Sequence, residues 1–528
     1  MIGLFNFPLR QQPDGTIVSS GPISAPNLQG GLVGRLCGTF GNSIMRQGAN
    51  PVDACTPTVA NQGWLAGTAF ALNYQFPPAQ IDASRGYIAK FPKITTAGTT
   101  GSVEPLWYVY NVGDTIQDGT AVWTMTAGTD GYAGFPGFWR WAQQLAGQPL
   151  IDGFYGGVGG TESPEIIANV YNALKYVDLK WVVLGPCWEN DYGRTRPLAT
   201  IMARWAAWEA MIDDLRSRGI NVMMQTPLPM TVDKPSDSYV RGDGSKAFEW
   251  LLRKHREFAA ARSDVTLVEV TDLYIDSNPA NPVWPDQTTT YILNNGSTEL
   301  AAADGTHPGS ALHFRMAKRW ATALSRKFPR RDLYGMAGEA GQLEPNPRHY
   351  GTGGTLGANV TGSVTNSHRA IGVSASAVAS VVAGSIGKAQ QLVCTNTVAG
   401  AGYVAYKNPS NLPIAGKFAV GDLIQFAARV VVKAAPVGFS KLSANLAFIG
   451  SSSYTSVAID TLGTTAQEIG GQITEDLTLD LLSMPVKIPS GTTEVNLEID
   501  TNMHGLTGAA TVIIEALSIH RPEVAAIA

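Results

Sequence analysis

The stretch Trp181-Val182-Val183-Leu184-Gly185-Pro186-Cys187-Trp188-Glu189-Asn190-Asp191 decides the fold. Four consecutive apolar residues stopped by Gly185-Pro186 read as a short strand buried on both faces. The acidic, amide-bearing run after it reads as a loop at the strand's carboxyl end. Outward from this point, strand and helix patterns alternate. Upstream, Pro164 to Tyr176 reads as a helix with proline in its first turn. Before it, Leu150 to Phe154 reads as a strand ending in Gly156-Gly157-Val158-Gly159-Gly160, and Phe138 to Ala146 as a helix. Downstream come a helix from Ala199 to Arg218, a strand from Ile220 to Gln225, a helix from Lys246 to Ala261 and a strand from Val265 to Val270. An amphipathic run from Ala311 to Leu324 follows. Such alternation predicts a three-layer α/β/α fold around a parallel sheet. In open sheets of this kind, catalytic groups gather at the carboxyl edge.

The rest of the chain differs in texture. Leu32 to Ser43 reads as a buried strand running into a tight glycine turn. Within 80–128, Thr95-Thr96-Ala97-Gly98-Thr99-Thr100-Gly101, Leu106 to Tyr110 and Ala121-Val122-Trp123-Thr124 are short runs parted by turn signals, which predicts a small β insertion. Every tryptophan lies at or before Trp320, and beyond about Pro345 the chain is rich in Val, Ala, Thr, Ser and Gly. Leu423 to Val432, Ser443 to Ile449, Val486 to Ile488, Val495 to Ile499 and Ala510 to Ile519 read there as strands of an all-β sandwich. The expected organisation is an arm or adaptor at 1–30, an α/β domain at 31–330 carrying the 80–128 insertion, a linker at 331–350, and a C-terminal sandwich at 351–528. The sandwich is expected to be carbohydrate-binding-like or an oligomerisation domain. A sugar platform on it would need Tyr403, Tyr406 or Tyr454, because it has no tryptophan.

Composition bounds the function. A length of 528 residues suggests roughly two to four domains. Hydrophobic content of 44% supports real cores, and the net charge of −4 gives no reason to expect nucleic acid or an anionic membrane. No window approaches the run of about 18 apolar residues that a membrane span needs. The four cysteines lack metal-ligand spacing, and Cys37 and Cys55 either pair or remain free buried thiols. The segment Met1 to Pro8 lacks a basic region followed by an apolar one, so no Sec-type signal is expected. A chain of extracellular, glycan-facing texture without such a signal fits a virion component released by lysis.

Chemistry concentrates in two short motifs. Ser43, in Gly41-Asn42-Ser43-Ile44, stands at a strand end. Asp304 and His307, in Asp304-Gly305-Thr306-His307-Pro308, precede the 311–324 helix. A serine hydroxyl becomes a nucleophile when a base takes its proton and a carboxylate orients that base. Taken alone, Gly-x-Ser is mostly structural, and Asp-x-x-His equally describes a helix cap beside a surface histidine or part of a metal site. The glycine turn at 156–160 adds backbone N–H groups, and Asn190 adds a side-chain amide, both suited to a developing oxyanion. Two acid pairs, Glu162 with Glu165 and Glu189 with Asp191, offer a weaker reading as glycosidase carboxylates. Cys187 could serve as a nucleophile, with a buried structural thiol the better reading. Trp139 and Trp141 read as core, whereas Trp107, Trp123 and Trp188 stand as candidate sugar-stacking, substrate-binding residues.

These blocks in this order resemble those of the SGNH (GDSL-type) hydrolases. The resemblance implies Ser43 as nucleophile, His307 as base and Asp304 as its orienter. It implies an oxyanion hole of the Ser43 N–H, the Gly160 N–H and the Asn190 amide, with no metal and no cofactor. Asn42 stands where the family has Asp, and Trp188 where it has Gly, the latter at the expected pocket wall. The implied activity is carboxylic ester hydrolysis. With the β modules, the expectation is a serine esterase removing O-acetyl groups from a bacterial capsule or O-antigen polysaccharide. The expected setting is a bacteriophage tail spike, a homotrimer bound to other tail proteins and acting at the host surface. The alternatives are a non-catalytic receptor-binding tail protein on the same scaffold and a bacterial secreted carbohydrate esterase or lipase.

Overall fold

The structure is a computed structural model. It describes residues 10–11, 17–18, 35–45, 64–74, 87–88, 91–107, 110, 113–126, 137–175, 177–193, 196–228, 243–276, 290–291, 310–330, 334–335, 341–398, 400–434, 438–451, 453–460, 475–483, 486–504 and 508–521. Five parallel strands form the central sheet: β1 (Leu36–Gly41), β2 (Ile151–Gly157), β3 (Trp181–Leu184), β4 (Asn221–Gln225) and β5 (Val265–Val268). Their spatial order is 2-1-3-4-5. The order reverses between β1 and β3, which opens a crevice at the carboxyl ends of these two strands. Strand β3 is buried at every position, as a strand covered on both faces must be.

Helices α1 (Phe138–Ala146) and α6 (Ser310–Lys327) pack against one another. Trp139 meets Trp320 edge-on at 5.6 Å in that layer. Helices α2 (Ser163–Ala173), α4 (Leu198–Ser217) and α5 (Asp243–Ala260) form the second packed group, with the five-residue α3 (Glu189–Gly193) between β3 and α4. The parallel α/β domain expected from the alternation is present. Trp139 and Trp141 are core residues, as read from the sequence. Helix α2 begins with a reciprocal capping box between Glu162 and Glu165 and carries a proline in its first turn.

The β insertion departs from the expected 80–128. Its pairing begins earlier, where Ala69–Phe70 pairs with Gly98–Thr99. Phe91–Thr96, Ala121–Thr126 and Thr115–Asp118 form a three-stranded antiparallel sheet. Tyr87–Ile88 does not join that sheet but adds antiparallel to the outer edge of β2. Asp118 organises the insertion, accepting from Trp64 Nε1 at 2.7 Å, Trp123 Nε1 at 3.1 Å and Gly101 N–H at 2.7 Å.

The C-terminal region holds two seven-stranded β-sheets, as expected for an all-β domain. Leu423–Val432 is a strand with the predicted bounds. The expected linker is corrected in part: within it, Gln342, Glu344, Asn346 and His349 are buried. Leu343 N–H donates to Ile519 O at 2.8 Å, and the Gln342 side chain bonds Ser518 at 3.0 Å. A polar sequence resembles a linker, but these side chains satisfy sandwich backbone and hydroxyl groups instead. The two regions touch through Asp480, which accepts from Tyr334 Oη at 2.6 Å and Arg429 Nε at 2.8 Å and pairs with Arg330 at 3.0 Å. Lys487 reaches Asp114 of the insertion.

Inside the sandwich, His349 Nδ1 lies 2.9 Å from the Tyr406 hydroxyl and both residues are fully buried, which removes Tyr406 as a sugar platform. Tyr403 is half-buried, and the Tyr454 side chain lies outside the described residues. Burial, and secondarily the neighbouring His368, holds His349 well below the usual histidine range. The neutral ring therefore belongs to the folded state, and the unfolded chain takes up the extra proton below about pH 6.5. The His349 contribution to sandwich stability is expected to be full above that pH and to fall as the pH drops below it, against the opposite trend of Asp500, whose carboxyl burial pushes up to about 8. Thermal melts of the full chain and of His349→Gln across neutral and mildly acidic pH check this; the same pH dependence in both would count against it.

Candidate active site

Strand β1 ends at Gly41, and residues 43–45 are helical, so the chain turns sharply at the carboxyl edge of the sheet. Only glycine fits at 41: a Cβ there would lie 2.5 Å from Met45 Cβ and 2.5 Å from Pro186 O. Asn42 caps the helical turn, its Oδ1 accepting from Ile44 N–H at 2.9 Å. Its own N–H donates to Pro186 O at 2.8 Å, tying the loop after β1 to the loop after β3. Ser43, half-buried, is thus carried on a turn fixed from both sides.

The α3 residues bind the surrounding loops together. Glu189 is 2% exposed. Its Oε2 accepts from Asn42 Nδ2 at 2.6 Å, and its Oε1 accepts from Leu228 N–H, beyond β4, at 2.9 Å. Burial pushes the Glu189 carboxyl up to about 7, against the pull of these donors. Asn190 Nδ2 donates to Thr161 O, in the loop after β2, at 2.8 Å. Asp191 accepts from Ser163 N–H at 2.8 Å, Ser163 Oγ at 2.7 Å and Arg204 at 2.6 Å. Burial raises its pKa, opposed by Ser163 and Arg204. Tyr192 Oη donates to the Leu228 carbonyl. One short turn after β3 therefore reaches the loops following β1, β2 and β4.

Of the expected site residues, Ser43, Gly160 and Asn190 lie at this one edge, in the segments that follow β1, β2 and β3, with Ser43 in a helical turn and Asn190 in α3. Gly160 has φ +77°, a conformation glycine adopts without strain. Asp304 and His307 lie outside the described residues, and the chain is described again from Ser310. The three tryptophans expected to stack on sugar are corrected. Trp188 is 1% exposed and Trp107 and Trp123 are 0% exposed. Trp188 packs on Trp208 at 5.2 Å and Trp205 at 5.9 Å, while Trp107 and Trp123 meet at 5.5 Å in the insertion core. A ring with no exposed face cannot stack on a sugar.

The same geometry gives the two acid pairs and Cys187 structural roles. Glu162 and Glu165 form the α2 capping box, and Glu162 pairs with Arg196 at 2.8 Å and with Arg204. Glu189 and Asp191 point to different partners and do not act as a pair. Cys187 is buried, and burial first, then Glu189 and Asp191, hold its thiol well above the usual value. That suits a structural thiol rather than a nucleophilic thiolate. Cys37 is a free buried thiol, 3.4 Å from Asp152 Oδ1, and Cys55 lies outside the described residues. Glu189, Asp191 and Arg204 escaped the sequence reading as organisers of this edge. Two acids flanking Asn190 were the available signal, but their partners come from four separate loops and helices.

Among the described residues no cluster of three His, Cys, Asp or Glu side chains is placed to hold a metal ion, and no helix is long and apolar enough to cross a membrane.

No family model and no curated protein matches the sequence. Solved structures similar to this chain include a GDSL-like lipase from Bacteroides thetaiotaomicron, at 13% identity, covering 37% of this chain and 87% of the other, with a TM-score of 0.28. A family 3 carbohydrate esterase from Clostridium thermocellum is similar at 16% identity over 33% of this chain and 70% of its own, with a TM-score of 0.23. A tailspike protein 4 domain of bacteriophage CBA120 is similar at 11% identity over 29% of this chain and 19% of its own, with a TM-score of 0.19. These are partial likenesses at low TM-score. The chemistry of the edge rests on the chain's own residues.

Proposed function

We propose that the protein is a serine esterase that removes O-acetyl groups from a bacterial surface polysaccharide. The observation that carries this reading is the Asn42–Ser43 turn. It stands at the β1/β3 switch point and is bonded by Glu189 and Pro186 to the loop that bears Asn190. A serine so placed needs only a base and an oxyanion hole to perform acyl transfer.

In this reading Ser43 Oγ attacks the acetyl carbonyl while His307, oriented by Asp304, takes the hydroxyl proton. The oxyanion of the tetrahedral intermediate accepts from the Ser43 and Gly160 N–H groups and from Asn190 Nδ2, whose second N–H is left over from the Thr161 bond. His307 then returns the proton to the departing sugar oxygen. Water, deprotonated by the same base, attacks the acetyl-enzyme, and acetate leaves with Ser43 restored. The setting we infer is a phage tail spike, homotrimeric and bound to other tail proteins, working on capsule or O-antigen outside the host cell. Supporting that setting are the β insertion and the C-terminal sandwich.

Acetate release from a panel of O-acetylated bacterial polysaccharides tests the reading. Turnover that Ser43→Ala abolishes supports it. No turnover of any ester, with retained glycan binding, would favour a receptor-binding tail protein instead. Asn190→Ala is expected to lower kcat by about 100- to 1000-fold with little change in KM, the usual cost of one oxyanion donor. Steady-state kinetics on p-nitrophenyl acetate check it, and a purely KM effect would remove Asn190 from the oxyanion hole.

A further inference from the structure

Glu189 lies in a place where a carboxylate is costly, since burying one without a cation is strongly unfavourable. No described cation pairs with it, although Arg204 is close enough to serve Asp191. Its bonding pattern explains its presence. Both oxygens face donors, Asn42 Nδ2 at 2.6 Å and Leu228 N–H at 2.9 Å. The Asn42 amide cannot rotate to offer its oxygen instead, because Oδ1 is held by Ile44 N–H at 2.9 Å. A neutral carboxyl accepts these N–H bonds far more weakly than a carboxylate does, and its added proton finds N–H donors rather than acceptors around it. Protonation therefore loosens the hold on both the Ser43 turn and the loop after β4.

We propose, on the reading that Ser43 is the nucleophile, that Glu189 is a positioning residue which holds the Asn42–Ser43 turn in register with the loops after β3 and β4, and does so only as a carboxylate. It touches no reacting atom and acts through Asn42. The groups around it are the buried Cys187 thiol, Asp191 with its Arg204, and, across Trp188, His255 of α5, which burial holds down at about 4 and therefore neutral. The Cys187 thiol and the His255 ring stay neutral near pH 7, whereas Glu189, pushed up to about 7, changes charge there. The site is thus assembled as pH rises through this range and loosened as it falls.

Kinetics of the full chain on p-nitrophenyl acetate test this. In the wild type, log kcat falls on the acid side with a slope approaching two, because Glu189 and the His307 base both take up protons. Glu189→Gln puts its amide N–H against that of Asn42. It is expected to lower kcat by about 10- to 100-fold, the scale of a small misplacement of a reacting group, with KM little changed. Its residual activity falls with a slope of one, because glutamine does not titrate. The double variant N42D/E189Q reverses donor and acceptor. Its new carboxylate at position 42 accepts from Ile44 N–H and from the new amide at position 189, whose oxygen still accepts from Leu228 N–H. Its kcat is expected to recover at least about 10-fold over Glu189→Gln alone.

A wild-type acid limb of slope one, a Glu189→Gln enzyme with unchanged kcat, or a double variant no better than the single one would each overturn the proposal. The wild-type profile stands even where a variant fails to fold. Turnover surviving in Ser43→Ala would instead overturn the nucleophile assignment itself, which separates the two failures.

Discussion

Ser43→Ala is expected to lower kcat on acetyl esters by at least about 10,000-fold, the scale seen when a triad nucleophile is removed. The loss should fall on kcat with KM little changed, because the deleted hydroxyl forms its bond only during reaction. The fold should survive. Ser43 is half-buried at the start of a helical turn, and the cap that holds this turn is the Asn42 side chain rather than the serine. Circular dichroism and a thermal melt like those of the wild type, alongside absent acetate release, complete the expected result. Activity close to that of the wild type would show that another residue attacks the ester.

Trp188→Ala carries the largest expected effect on stability, about 3–5 kcal/mol by the usual cost of truncating a buried tryptophan. The ring is packed against Trp205, Trp208 and His255, and it precedes the α3 turn that holds the edge together. The indole N–H has no hydrogen-bond partner among the described residues. Trp188→Phe therefore loses volume but no hydrogen bond and should cost well under half as much. Denaturant titrations of both variants check the ranking. Had Trp188 been a sugar platform, both changes would weaken glycan binding and leave stability within about 0.5 kcal/mol, the usual range for surface positions. Its burial excludes that pattern.

Much of this architecture can be read from local signals. The run Trp181–Leu184 was legible because a strand covered on both faces needs no alternation and stops at Gly185-Pro186. The start of α2 was legible because proline in its first turn marks a helix entry. What was hidden depended on distant partners. The pairing of Ala69–Phe70 with Gly98–Thr99 involves two residues on each side and leaves no periodic trace. The 341–350 segment has a linker's composition, and only the sandwich strands that receive its polar groups show it to be buried. Trp107 and Trp123 have the same letters as a sugar platform, and their burial is decided by strands that fold over them.

The candidate site shows the same division. Ser43, Gly160 and Asn190 were singled out as candidates by spacing and order, and the segments that carry them lie at one sheet edge. Asn42 departs from the Gly-Asp-Ser motif that the sequence resembles, yet its amide supplies the donor that a buried Glu189 requires. Neither residue explains the other until the β1 and β3 loops are adjacent.

Activation of Ser43 is the central claim, and covalent labelling tests it most directly. Treatment of the full chain with a fluorophosphonate, followed by peptide mass spectrometry, is predicted to give one stoichiometric adduct on Ser43, lost in His307→Ala. No adduct at Ser43, or labelling of Ser43 undiminished without His307, would contradict the account.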